Sequence, residues 1–191
     1  ISSDTPLVAC VKHFAGYAAS EGGRDYNSTW IPEIQLRETY LPPFKAAIDA
    51  GVATVMTAYN QLNGKWTGQS KYVITDLLRG TLGFKGMVMS DWNSIYDWKD
   101  VIFSGQNLDM PGEDMFYIKK KPADLVAEGV VTEKDIENMI RPTIATCLRW
   151  GLYDRYNSGK QYDKSLEAKL PAHLEVSYQT AAEGAVLLRN N

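Results

Sequence analysis

The order of apolar and polar positions divides the chain into a repeating unit. A short, β-branched apolar run ends in polar or aromatic residues, and a stretch of helical periodicity follows. The first run is Leu7 to Phe14; after a long loop from Gly16 to about Trp30, a helix is predicted over Pro32–Asp49. In that helix Ile34, Leu36, Tyr40, Leu41, Phe44, Ala47 and Ile48 recur at steps of three and four. The second run, Val52 to Tyr59, precedes a Gly/Asn loop and a helix over Val73–Leu82. The third, Gly86 to Asp91, leads into a helix from Ser94 to Phe103, and the fourth is Asn107 to Met110, closed by Pro111-Gly112. Further on, a short helix is predicted over Pro122–Glu128. A longer one opens with the capping-box-like Thr132-Glu-Lys-Asp135 and stops at Gly151, with Pro142 kinking it or restarting it.

Strands alternating with helices predict βα units around a parallel sheet, and the near-continuous apolar runs fit strands buried on both faces. Chemistry in such folds sits at the carboxyl ends of the strands. Those ends carry Lys12-His13, Tyr59-Asn60, Ser90-Asp91-Trp92 and Asp109. Four βα units are half of a (β/α)8 barrel, which typically takes about 250 residues. The pattern therefore describes either a small open sheet or a piece of something larger. Residues 154–171 are polar and irregular, as a linker is; His173 onward is helical until Ala185-Val-Leu-Leu188 turns apolar, as at the start of a new strand.

Composition removes several function classes. With 191 residues, 45% hydrophobic and 23% charged, the chain has the balance of a folded globular protein. A net charge of −3 without a basic run argues against nucleic-acid binding. No apolar stretch reaches the ~20 residues of a membrane span, and no signal peptide is visible. Two cysteines and two histidines show no metal-ligand spacing, and the GxSxG, HExxH and P-loop patterns are missing. Two cysteines do not make a disulfide framework either, so the redox compartment stays open.

Each candidate residue has a competing structural role. Asp91 reads as a carboxylate nucleophile or base, or as the N-cap of the helix starting near Ser94. Lys12 and His13 could orient a substrate, or be a lysine stretched along a strand end beside a hydrogen-bonded histidine. Tyr59 and Trp92 could supply a hydroxyl and an aromatic wall for a sugar, or pack at the core and rim. The loop holding Glu21, Arg24 and Asp25 is long enough to be functional, or is simply a solvated charged loop. Asn27-Ser-Thr29 fits a glycosylation sequon, a triplet frequent by chance.

Together these segments resemble glycoside hydrolase family 3, the β-glucosidase and β-xylosidase family, from Lys12 to Asn190. Similar segments are Lys12-His13-Phe14-Ala-Gly16 and Glu21-Gly-Gly-Arg-Asp-Tyr-Asn27. So are Val55-Met-Thr-Ala-Tyr59 with Leu62-Asn-Gly64, and Leu78 to Gly86 leading to Ser90-Asp-Trp92. Gly105 to Gly112 fits as well, with Asn107 where the family usually has Asp, and Ala181 to Asn190 resembles the opening of the family's second domain. The resemblance implies an α/β fold: the C-terminal half of a (β/α)8 TIM-like barrel over 1–153, a linker over 154–171, and the first strand of a following α/β sandwich in 172–191. It implies a retaining β-glycosidase acting on terminal β-D-glucosyl residues, with β-xylosidase or a non-catalytic sugar-binding or scaffold relative as alternatives.

By the same resemblance Asp91 is the catalytic nucleophile. Lys12 and His13 bind hydroxyls of the non-reducing-end sugar, Tyr59 steadies the nucleophile, and Trp92 forms an aromatic wall near the aglycone. The Ala15-Gly-Tyr-Ala18 segment disfavours the N-acetylglucosaminidase branch, which has Gly-His-Gly there. No metal or organic cofactor is required, and no acid in this chain is assigned as the acid/base. Expected partners are an oligosaccharide or aryl β-glycoside, the remainder of the barrel and the sandwich domain, in the same or another chain, and a homodimer is compatible with the family. Periplasmic or secreted settings suit the family, and the compartment is left open. The 191 residues are expected to need further polypeptide to complete the barrel.

Overall fold

The computed structural model describes residues 7–112, 122–159 and 164–190. Its centre is a four-stranded parallel sheet of β1 (Cys10–Phe14), β3 (Thr54–Thr57), β6 (Met87–Trp92) and β7 (Leu108–Met110), paired in that order. These are the four runs read from the sequence, in α/β alternation. A smaller sheet was not foreseen. In it β2 (Ser28–Thr29) pairs parallel with β4 (Gln61–Leu62), which pairs antiparallel with β5 (Lys65–Trp66). Asn63 (φ 50°) and Gly64 (φ 84°) make the two-residue turn between β4 and β5, where both residues need positive φ. The Asn63 side chain then clamps the chain after β2, accepting from the Ile31 N–H and donating to the Ile31 carbonyl, each at 2.9 Å.

The helix predicted over 32–49 is present as α1 (Glu33–Gln35), a π-helical turn at Leu36–Tyr40, and α2 (Leu41–Asp49). The second helix is the π-helical stretch Tyr72–Thr81. Leu36, Leu41, Val73, Ile74, Leu77 and Leu78 from these segments are fully buried against Phe14, Val55 and Val88 of the sheet. Burying one such side chain is worth about 1.5–3 kcal/mol, so this face fixes how the helices dock. The opposite face is open: Met56, Met87 and Met89 are only half-buried, and Cys10 and Lys12 are exposed. Burial on both faces, expected for a parallel sheet, is therefore not observed among the described residues.

Two other expectations are corrected. The third helix, α3, runs over Trp98–Ser104 rather than from Ser94. Gln69 Oε1 accepts from the Tyr96 and Asp97 N–H groups at 2.7 and 3.0 Å, which holds the chain out of helical bonding until Asp97. Asp97 is the true cap, accepting from the Lys99 and Asp100 N–H groups. The polar stretch after 153 is not irregular throughout. It contains α6 (Leu152–Asn157) and a 3-10 segment (Lys164–Lys169), and α7 (Leu170–Gly184) follows. Lys, Leu, Glu and Ala in 164–169 are good helix formers, which outweighs the polarity of the segment. Residues 185–190 carry no helix and no paired strand among the described residues.

α4 (Pro122–Ala127) and α5 (Glu133–Arg149) fall where predicted. The capping box at Thr132 forms with Asp135 in the usual Glu position: Asp135 N donates to Thr132 Oγ1 and Thr132 N to Asp135 Oδ2. α5 passes through Pro142 without ending. The chain divides into two compact units, 1–150 and 151–191.

Candidate active site

His13 at the end of β1 and Asp91 at the end of β6 face each other across the intervening strand β3, with His13 Nε2 3.3 Å from Asp91 Oδ2. The Asp91 side chain is 13% exposed and that of His13 26%, so the pair is shielded yet reachable. Both strands break their pairing register at these positions, between Val11 and Phe14 and between Met89 and Trp92. Such irregularities bend a strand locally and re-aim its side chains.

Asp91 caps no helix. Its Oδ1 accepts from the Trp92 N–H at 2.7 Å, and its backbone carbonyl takes the Ser94 hydroxyl at 3.0 Å. Oδ2 is left facing His13. Burial lowers the His13 imidazole below its ordinary value, with Lys12 adding to the effect and Asp91 and Asp25 opposing it. The neutral ring is therefore favoured.

Tyr59 joins the pair. Its hydroxyl is raised well above its ordinary value, first by burial, then by the Asp91 carboxylate and by hydrogen bonds shared with Tyr26 and Asp91. It stays a proton donor at any working pH. Lys12 is exposed and lines a cavity of about 560 Å³ with His13, Tyr17, Arg24, Asp25 and Tyr40. Trp92 is half-exposed at the strand end, 53% accessible, and its contact with Asp91 is through the backbone. The structure thus gathers His13, Asp91 and Tyr59, sets Lys12 alongside, and leaves the Trp92 ring at the rim.

Two residues, Tyr17 and Tyr26, went unrecognised in the sequence. The Tyr17 hydroxyl donates to Asp25 Oδ1 at 2.8 Å, and its ring meets His13 at 5.0 Å between centroids and 75° between planes. Tyr26 packs on Tyr59 at 4.6 Å. Their loop is held by Asn27, which donates to the Glu21 carbonyl and accepts from the Ser28 N–H, both at 3.0 Å. That commits the sequon's amide to the fold. A tyrosine at each end of a glycine-rich loop following a strand end was the available signal.

Asp109, also at a strand end, is pushed up by burial while the Ser90 hydroxyl donates to it at 3.2 Å. Ser90 is fully buried, whereas its neighbour Asp91 opens toward His13.

The sequence model for the glycosyl hydrolase family 3 N terminal domain matches residues 3–142. A β-glucosidase of Rhizobium radiobacter is 36% identical over 186 residues, covering 97% of this chain and 22% of its own length. The periplasmic β-glucosidase of Salmonella typhimurium is 32% identical over 204 residues, covering 96% and 26%. Among solved structures, a β-glucosidase from Listeria innocua superposes with TM-score 0.74 at 29% identity, over 84% of this chain and 24% of that one. The chain therefore spans about a quarter of the length of the relatives it matches.

Proposed function

Since this chain belongs to glycosyl hydrolase family 3, we propose that it forms the nucleophile-bearing half of the barrel in a retaining β-glycosidase that removes terminal β-D-glucosyl residues. The observation that carries the reading is the shielded Asp91 carboxylate facing His13, with the Tyr59 hydroxyl beside it. β-Glucosidase names among the relatives support the sugar, and the open methionine face of the sheet supports further strands closing a barrel. Residues 1–153 belong to that barrel, 154–171 connect it, and 172–191 enter the next domain.

In the first step Asp91 attacks the anomeric carbon and the leaving oxygen takes a proton, giving a glycosyl ester on Asp91. Water then attacks the same carbon as the conjugate base of the proton donor takes its proton, the ester C–O bond breaks, and Asp91 is regenerated as carboxylate. Tyr59 sets its hydroxyl beside Asp91 and holds the carboxylate in place for attack. Lys12 and His13 hydrogen-bond sugar hydroxyls, and Trp92 lines the exit toward the aglycone. The proton donor, expected ~5–5.5 Å from the nucleophile, comes from outside residues 1–191. Asp25 is engaged by Tyr17, and Asp109 by Ser90.

The test is trapping with a 2-deoxy-2-fluoroglucosyl substrate, in the full-length protein that carries this chain, followed by peptide mapping. The adduct is expected on Asp91, and Asp91→Asn abolishes turnover because an amide cannot form the ester. An adduct on another carboxylate overturns the assignment.

A further inference from the structure

His13 has a single polar side-chain partner among the described residues, Asp91 at 3.3 Å. One contact at that distance does not fix the tilt of an imidazole ring, so something else must. The Tyr17 ring abuts it nearly edge to face. Tyr17 in turn is tied at its far end, its hydroxyl donating to Asp25 Oδ1 at 2.8 Å. We infer that Tyr17 and Asp25 are positioning residues that lock the His13 ring against Asp91 and the bound sugar. This inference rests on the proposed glycosidase reading.

The bond is built into the loop rather than incidental to it. Gly16, at φ +78°, turns the chain so that Tyr17 opens a 3-10 turn directly after β1. A side chain at Gly16 would meet Ile31 Cδ1 at 3.0 Å, so the turn is reserved for glycine. The Ser20 hydroxyl closes the turn by donating to the Tyr17 carbonyl at 2.9 Å, and the Asn27 amide anchors the loop's other end. Asp25 is thus delivered to Tyr17 by a loop fixed at both ends. Burial and the Asp25 carboxylate push the Tyr17 hydroxyl up to about 12, so the donor survives throughout the working range. The charged and titratable groups around His13 are Lys12, Asp25 and Asp91, with Tyr17 beside them.

A ring held by a distant bond acts on the transition state more than on ground-state binding, because small misplacements of a contact group weaken catalysis steeply. The experiment compares Tyr17→Phe, Asp25→Asn and the double variant in the full-length protein. Active sites are counted by the fluoroglucosyl adduct, so that misfolded molecules do not enter the rate. Each single variant is expected to lower kcat by about tenfold or more, with KM within about twofold. The double variant is expected to be no worse than either single one, because both remove the same bond. Additive losses, or a rise in KM at constant kcat, overturn the inference in favour of separate or direct substrate contacts. An adduct on Asp91 with unimpaired single variants overturns the inference alone. An adduct elsewhere overturns the functional reading and this inference with it.

Discussion

The Asp91 carboxylate has its two oxygens assigned to different tasks, Oδ1 to the Trp92 N–H and Oδ2 to His13. Lys12 and His13, at the same strand end, are the residues whose loss should be felt in the transition state. Lys12→Ala and His13→Ala are each expected to lower kcat/KM by about tenfold or more, given ~1.5–3 kcal/mol for a charge-assisted hydrogen bond. Steady-state kinetics on the full-length protein measures it, and unchanged kinetics in folded variants would return both residues to structural roles. His13 also has a pH signature. Its folded value lies below its ordinary value of about 6.5, so the native state binds fewer protons than the unfolded one in between. The stability this group contributes is full above about pH 6.5 and is lost as pH falls through the folded value. Melting temperature should accordingly fall more steeply on acidification below pH 6.5 in the wild type than in His13→Gln. Equal slopes would show that the imidazole is not held neutral. At this scale His13, Asp91 and Tyr59 were legible because polar residues at the ends of apolar strands are conspicuous. Tyr17 and Tyr26 were not, because what makes them matter is a partner brought near by loop closure.

Among the elements, Asn107 shows how one side chain joins sheet, helix and loop. Its Oδ1 accepts from Arg79 Nη2 and from the Val88 N–H, each at 2.8 Å, and its Nδ2 donates to the Met139 carbonyl at 2.7 Å. Met139 lies in the middle of α5, so the bond ties that helix to the start of β7. The departure from the family's Asp thus has a physical account, because a carboxylate could not donate to that carbonyl. Asn107→Ala leaves the Val88 N–H without its partner and takes one donor from the Met139 carbonyl. It should destabilise the unit by about 1–3 kcal/mol, the cost of one unmet buried group. A lowered denaturation midpoint with an unchanged slope is the expected readout, and a midpoint within error of wild type would contradict the bracket. Strand and helix order was readable because period and turn residues are local signals. The start of α3 was not, since Gln69 sets it from a distant segment, and the β2–β4–β5 sheet was missed because its strands are two residues long.

For the molecule as a whole, the sheet ends at β1 on one side and β7 on the other, with no further strand paired to either among the described residues. Each edge offers unpaired N–H and C=O groups, which template association with other chains. The face carrying Met56, Met87 and Met89 is only half-covered, and Ile140, Ile144 and Leu148 form an exposed stripe on α5, 48–55% accessible. Apolar surface of this kind in one small unit favours self-association. The chain's span of about a quarter of its relatives leaves room for polypeptide that would cover these surfaces. The 191 residues expressed alone should therefore aggregate or melt without cooperativity, bind a hydrophobic dye, and release no nitrophenol from an aryl β-glucoside. Size-exclusion chromatography, calorimetry and the glycosidase assay check the three points. A monomeric, cooperatively melting 191-residue protein with activity would mean that four strands suffice to hold both carboxyl groups. The second would then have to be sought in the loop of Glu21 and Asp25, where only Asp25 already sits within reach of the His13–Asp91 pair through Tyr17.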